Sequence, residues 1–156
     1  MDKTDLQILK ILQDNSAMPV EEVARKVHLS LTPTWRRIQK LEEAGVIEKR
    51  VALCSAEKLN VGVTVFVTVK TAQHNAAWLQ KFAKGVRELP EVMEFYRMSG
   101  DVDYLLKVVV PDIAGYDAFY MRLIKVAELS DVSSSFAMER IKYSTALPVE
   151  HAVRAK

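Results

Sequence analysis

The residues best suited to act on another molecule crowd into one stretch. Residues 25–50 hold Arg25, Lys26, Arg36, Arg37, Lys40, Lys49 and Arg50 against Glu42, Glu43 and Glu48, seven cations to three acids. The whole chain of 156 residues carries a net charge of only +2, so the remainder is slightly acidic. A basic patch on a nearly neutral protein suits a polyanion held at one place. The competing reading is a solvated helix face without a partner.

Other chemistry is poorly provided for. Cys54 is the single cysteine, which rules out a disulfide within the chain, and His28, His74 and His151 lie far apart at no metal-ligand spacing. No Cys/His pair and no P-loop is present, and scattered acids such as Glu94 and Asp103 do not make an acid–base pair. An enzyme and a bound metal are therefore not expected. Cys54 reads as a small hydrophobe in a linker, with redox sensing the less favoured role, and His28 and His74 read as loop surface. No apolar run reaches the length of a bilayer span, and Met1-Asp2-Lys3-Thr4-Asp5 lacks the pattern of a signal peptide. A cytoplasmic protein without membrane contact is expected.

The elements that must position the basic residues follow from period and punctuation. Asp2 can cap a first helix with Asp5 as its returning acid, and Leu6, Ile8, Leu9, Ile11 and Leu12 fill one apolar face. Pro19 opens a short second helix with Val20, Val23, Ala24 and Val27 inward. Ser30 caps a third, with Pro33 tolerated in its first turn, that runs to about Ala44 and stops at Gly45. Leu31, Trp35, Ile38 and Leu41 are expected on its inner face, and 46–53 as one or two short strands serving as a wing or the start of a linker. The period then changes. Val63, Val65, Val67 and Val69 alternate in a strand, 76–89 is a helix ended by Pro90, 92–98 and 103–110 are strands, 113–125 is a helix, and 132–141 is a last strand, extended at most to 147.

The order is three helices, then β-α-β-β-α-β, the split βαβ pattern of a ferredoxin-like sandwich. The expected class is α+β, with a winged helix-turn-helix over 1–52, a linker over 53–60 and a ferredoxin-like domain over 61–156. Such a sheet carries helices on one face only. A second subunit is the economical cover for the other, since a large bare apolar face is a liability.

A helix-turn-helix works by geometry. The second helix of the pair enters the major groove and shows the side chains near its N-terminus to base edges. Arg36 is suited to grip guanine O6 and N7, and Thr32 and Thr34 to meet a thymine methyl or a phosphate. Lys40, Arg25 and Lys26 are better placed for phosphates, which set register without reading sequence. Arg37 lies on the flank and either contacts DNA or pairs with an acid of the second helix, Glu21 or Glu22.

The segment Ser30-Leu-Thr-Pro-Thr-Trp-Arg-Arg-Ile-Gln-Lys-Leu-Glu-Glu-Ala-Gly-Val-Ile47 resembles the recognition helix of the Lrp/AsnC, or feast/famine, regulators. The opening Asp2–Leu9 and the Ser99–Tyr104 turn are similar to other segments of that family in the same order. Val102 replaces an aromatic common between the two acids, and Asn60 stands where the linker often has glycine, a position Asn tolerates when the backbone is left-handed. The resemblance implies a transcriptional regulator of amino-acid metabolism that binds double-stranded DNA. It implies a homo-oligomer (dimer, tetramer or octamer) and a small effector, an amino acid, held between sensing domains. Residues 130–148 resemble a subgroup responsive to cysteine, which makes cysteine the first effector to consider.

An amino acid presents an ammonium and a carboxylate. Its pocket needs an acid or carbonyls for one and N–H groups or hydroxyls for the other. Ser99, Gly100, Asp101, Asp103 and Tyr104 on the turn, with Ser133, Ser134 and Ser135 on the last strand, are the candidates. The plainer alternative is a turn stabilised by its own acids and a polar strand surface. A nucleoid-type protein that wraps DNA and ignores metabolites also remains compatible with the sequence.

Overall fold

In the computed structural model, which describes residues 1–73 and 75–152, the chain forms two compact units, Met1–Leu53 with the chain from Ile141 onward, and Cys54–Arg140. His74 and the last four residues of the expected 61–156 span lie outside the described residues.

The first unit is built on α1 (Lys3–Asp14), α2 (Val20–Lys26) and α3 (Leu31–Glu43). The capping box forms as its residues require: Asp2 accepts from the Asp5 amide, and the Asp5 carboxylate accepts from the Asp2 amide, both at 2.9 Å. Gly45 ends α3 at φ +68°, where its N–H donates to the Glu42 carbonyl. Ile8, Leu9 and Leu12 of α1 meet Val23 and Val27, and Ile38 and Leu41 of α3, in one core.

That core has an unexpected member. Val149, 8% exposed, packs into it from a short 3-10 turn, Val149–Ala152. The backbone just before is held by one side chain: Gln13 Oε1 accepts from the Leu147 N–H at 2.7 Å, and its Nε2 donates to the Leu147 carbonyl at 3.1 Å. Lys10 reaches Glu150 at 2.5 Å, but both side chains are more than half exposed and the pair contributes little. The compact units divide the chain differently from the expected span of 61–156: residues 141–152 group with the first unit. The stretch that delivers Val149, Ala146-Leu-Pro-Val-Glu-His-Ala152, is too short for a period to mark which apolar residue is buried.

The second unit holds β1 (Val63–Lys70), α4 (Ala76–Arg87), β2 (Val92–Arg97), β3 (Tyr104–Val110), α5 (Ile113–Leu123) and β4 (Asp131–Phe136). The strands pair antiparallel throughout in the order β2-β3-β1-β4, the ferredoxin-like arrangement. Val65, Val67 and Val69 stand opposite Val108, Leu106 and Tyr104 across the β1–β3 ladder and bury against Trp78, Phe82 and Val86 of α4 and Tyr116, Phe119 and Leu123 of α5. Asn75 and Asp112 cap the two helices through their side chains. Asn60 does take the left-handed backbone, φ +55°, in the turn that leads into β1.

Two strand expectations fail. No strand forms over 46–53, and the last strand ends at Phe136 rather than 141. The first stretch is largely exposed and has no ladder partner among the described residues; alternation alone does not make a strand without one. Beyond Phe136 the Ala137 N–H still donates to the Thr64 carbonyl of β1 at 2.9 Å, but no further strand pairing follows among the described residues.

Replacing Val149 with Ala removes two buried methyl groups, at about 0.8 kcal/mol each. The expected result is a loss of about 1.5 kcal/mol, read as faster amide hydrogen exchange across Ile8–Leu12 with exchange across β1 unchanged. Equal exchange in α1 would show that the C-terminal segment does not support the first unit.

Candidate nucleic-acid interface and effector site

The rotation of α3 about its axis decides which side chains it offers. Thr34, Ile38 and Leu41 are its buried residues. Thr34 is fully buried, and its hydroxyl donates to the Ser30 carbonyl at 3.0 Å, so a polar side chain sits inside without an unmet hydrogen bond. The inner face is thereby turned by roughly 40° from the one that hydrophobicity marks. Leu31 and Trp35, expected inside, are 46% and 51% exposed, and Thr34, expected to meet DNA, is removed from it.

Arg37 is held as well, but not by the partner expected. Its Nη1 lies 2.6 Å from Asp5 Oδ1 and 2.7 Å from Asp2 Oδ2, so it bridges α3 to the capping box of α1 rather than pairing with Glu21 or Glu22. The Asp2 carboxyl is held below its ordinary range by the Asp5 backbone N–H and then by Arg37, whose guanidinium is pushed up in turn by Asp5 and Asp2. Arg37 therefore braces the helix pair. Two acids three residues apart at the start of α1 serve both as a cap and as a seat for a cation.

What remains outward on α3 and α2 is Thr32, Arg36 and Lys40, with Arg25 and Lys26, all exposed. Arg25 makes only a loose approach to Glu22, at 3.8 Å. Arg50, counted with the basic stretch, is engaged by Glu42 at 2.9 Å. Sequence reasoning misses two exposed members of this helix, Leu31 and Trp35, because large apolar residues usually belong in a core.

In the second unit the expected effector residues divide. Ser99, Gly100 and Asp101 are exposed at the β2–β3 turn, with Gly100 at φ +122°. Asp103 is a tie within the sheet: its N–H donates to the Val69 carbonyl at 3.1 Å, its carbonyl accepts from Met98 at 2.8 Å, and its carboxylate accepts from the Thr71 N–H at 2.8 Å. Tyr104 is 5% exposed and packs its ring among Trp78, Phe82 and Phe95. Its inward alternation with Leu106 and Val108 makes it a core residue, which corrects its expected place in a pocket. Ser134 points to the helix side, where its hydroxyl bonds the Tyr116 hydroxyl; burial raises the Tyr116 pKa. Ser133 and Ser135 face away from the helices. The turn and the start of β4 lie at the same end of the sheet with β1 between them, roughly 10 Å apart by strand spacing.

The face of the sheet away from α4 and α5 bears Phe66, Leu105, Val109 and Tyr96, with Phe66 40% and Tyr96 49% exposed. Lys107 Nζ meets Glu94 Oε1 at 2.7 Å on the same face, and Lys107, then Tyr96, holds the Glu94 carboxyl below its ordinary range. Among the described residues no group of three or more His, Cys, Asp or Glu is placed to hold a metal ion, and no helix is long and apolar enough to cross a membrane.

A helix-turn-helix with a basic outer face, joined to a ferredoxin-like domain with an uncovered sheet face, defines a DNA-binding regulator with a separate domain for a ligand. Comparison with known proteins agrees. Residues 1–48 match a winged helix-turn-helix DNA-binding family, and residues 64–147 match the Lrp/AsnC ligand binding domain. The chain is 46% identical over 151 residues to the DNA-binding transcriptional activator DecR of Escherichia coli K12, covering 96% of this chain and 99% of that one. It superposes on the crystal structure of an AsnC family transcriptional regulator from Agrobacterium tumefaciens with a TM-score of 0.96 at 60% identity, covering 98% and 100% of the two chains. A transcriptional regulator of Neisseria meningitidis, solved as a complex with L-Met, superposes with a TM-score of 0.92 at 34% identity over 98% of this chain and 99% of that one. The chain belongs to the Lrp/AsnC family of DNA-binding transcriptional regulators.

Because the Asp2 carboxyl is held low in the folded chain, its contribution is present above the ordinary carboxylate range and lost as pH falls through its lowered value. Asp2→Asn is expected to be less stable than the parent at pH 7, with the difference shrinking as both are acidified below that range. A difference constant with pH in urea titrations would count against the Asp2–Arg37 bridge as its source.

Proposed function

We propose that α3 reads operator bases through Arg36, with Thr32 beside it, while Lys40, Arg25 and Lys26 contact phosphates. The observation that carries this reading is the setting of α3. Burial of Thr34 and the tethering of Arg37 leave Arg36, Thr32 and Lys40 together on the outer face. Arginine supplies a bidentate donor pair for guanine, whereas the lysines act as mobile point charges suited to the backbone.

The ligand that acts on the second domain is an α-amino acid, with cysteine first among those to test. The resemblance of residues 130–148 supports cysteine, and the similar Neisseria meningitidis regulator is described with L-Met. Ser99, Gly100 and Asp101, with Ser133 and Ser135, supply the donors and the acid that such a zwitterion needs. The chain works as a homo-oligomer in the cytoplasm, built on the sheet face that carries Phe66 and Tyr96. That face is too apolar to be left to water, and its Lys107–Glu94 pair gives it polar register. A lone subunit brings the turn and β4 only within roughly two strand spacings, so a neighbouring subunit is the natural source of the rest of the pocket.

Mobility shift on the protein's own upstream region tests the DNA reading. Arg36→Ala is expected to weaken specific binding by about 1–3 kcal/mol and to relax base preference, and Lys40→Ala to weaken all sequences alike and lower the salt slope by about one. An Arg36→Ala protein that binds its operator as the parent does would overturn the assignment. Thermal shift against the twenty amino acids tests sensing; no shift with any of them would reject an amino-acid effector.

Oligomerisation has its own test. Phe66→Lys sets a charge in the middle of the uncovered sheet face, and light scattering is expected to show a smaller assembly than the parent with far-UV circular dichroism unchanged. An unchanged mass would move the subunit contact elsewhere.

A further inference from the structure

Trp35 and Leu31 are four residues apart on α3, on the arc between its buried side and its charged side. They are 51% and 46% exposed. With Val20 and Glu21 of α2 and Thr32 they line a shallow, mostly apolar cleft at the start of the helix. Arg36 and Lys40 continue the same surface on the basic side.

We propose that Trp35 and Leu31 form a seat for the 5-methyl group of a thymine in the operator, making Trp35 a specificity-determining residue. The inference rests on the reading that α3 enters the major groove. The first turns of a recognition helix are the part that meets base edges, and this cleft lies there. The floor of the major groove is a row of hydrogen-bond donors and acceptors with a single apolar feature, the thymine methyl. An apolar recess within a basic surface is therefore matched to that group and to no other part of the groove. The charge at its rim points the same way. Glu21, the one charged residue lining the cleft, repels a phosphate, while Lys40 draws the backbone to the other side of the helix and leaves Arg36 to the base edges.

The experiment uses the full chain and an operator duplex found by mobility shift, with each thymine replaced in turn by deoxyuridine. This exchange removes the methyl and leaves the hydrogen-bonding edge intact. For the parent, at least one replacement is expected to weaken binding roughly fourfold, the value of one buried methyl group. Trp35→Ala is expected to bind the unmodified operator several-fold more weakly and to lose the penalty at that same position. Because Trp35 is half exposed, the variant is expected to melt with the parent, and a melting curve checks that it is folded. The inference is overturned if Trp35→Ala binds as the parent does, or if it keeps the full deoxyuridine penalty. It is also overturned if the variant changes mass by light scattering while DNA affinity holds, since the cleft then serves another copy of the chain. Arg36→Ala separates the two levels. If it too binds normally, the reading helix itself is misassigned; if it is impaired while Trp35→Ala is not, only the thymine seat fails.

Discussion

The rotational setting of α3 governs everything the first unit can do. Hydrophobicity alone would turn Leu31, Trp35, Ile38 and Leu41 inward, yet the buried residues are Thr34, Ile38 and Leu41. Two contacts accompany that setting. Arg37 is drawn to Asp2 and Asp5, and the Thr34 hydroxyl closes on the Ser30 carbonyl, so a polar residue enters the core at little cost. An ion pair at a partly exposed site adds modestly to stability. Its larger effect is angular, since two carboxylates on a capped helix end give the guanidinium one place to go. Arg36 faces outward because its neighbour is held inward.

The same logic of a tied neighbour runs through the second unit. Asp103 anchors the β2–β3 turn to the end of β1 through Thr71 and Val69, which leaves Ser99, Gly100 and Asp101 standing clear of the sheet. Tyr104 begins the inward alternation of β3 and fixes which residues face the helices. Ser134 is spent on Tyr116, so its two neighbours are the hydroxyls turned the other way. In β3 and β4 the two-residue period of a strand divides neighbours into those that face the helices and those turned the other way.

That division explains what was readable beforehand. Element order, the Asp2–Asp5 capping box of α1, the left-handed Asn60 and the strand pattern of the second unit are all local, and local signals sufficed for them. The basic outer face of α3 was legible for the same reason. Trp35, Thr34 and Tyr104 were misplaced because hydrophobicity ranks a residue by its type, whereas burial depends on what stands opposite. Arg37 was recognised as a candidate for an ion pair, but its acids lie more than thirty residues away in sequence, and a search within the adjacent helix could not reach them. The missing strand at 46–53 shows the complementary error, a local pattern with no partner to complete it.

The C-terminal segment carries the point furthest. Val149 joins a core whose other buried members all precede residue 42, and Gln13 holds the backbone that delivers it with two hydrogen bonds. The DNA-binding unit is thus not a contiguous stretch of chain. It is left at Leu53 and re-entered at Ile141, so the compact unit Cys54–Arg140 is inserted between two parts of one core. Cutting after residue 53 would leave α1 with an apolar surface that Val149 normally covers and Gln13 without its backbone partners. A helix-turn-helix of some fifty residues has little core to spare. The fold therefore ties the completeness of its DNA-binding part to a segment that follows the ligand-binding domain, and the two connections between the units, not one, are the covalent routes by which either can act on the other.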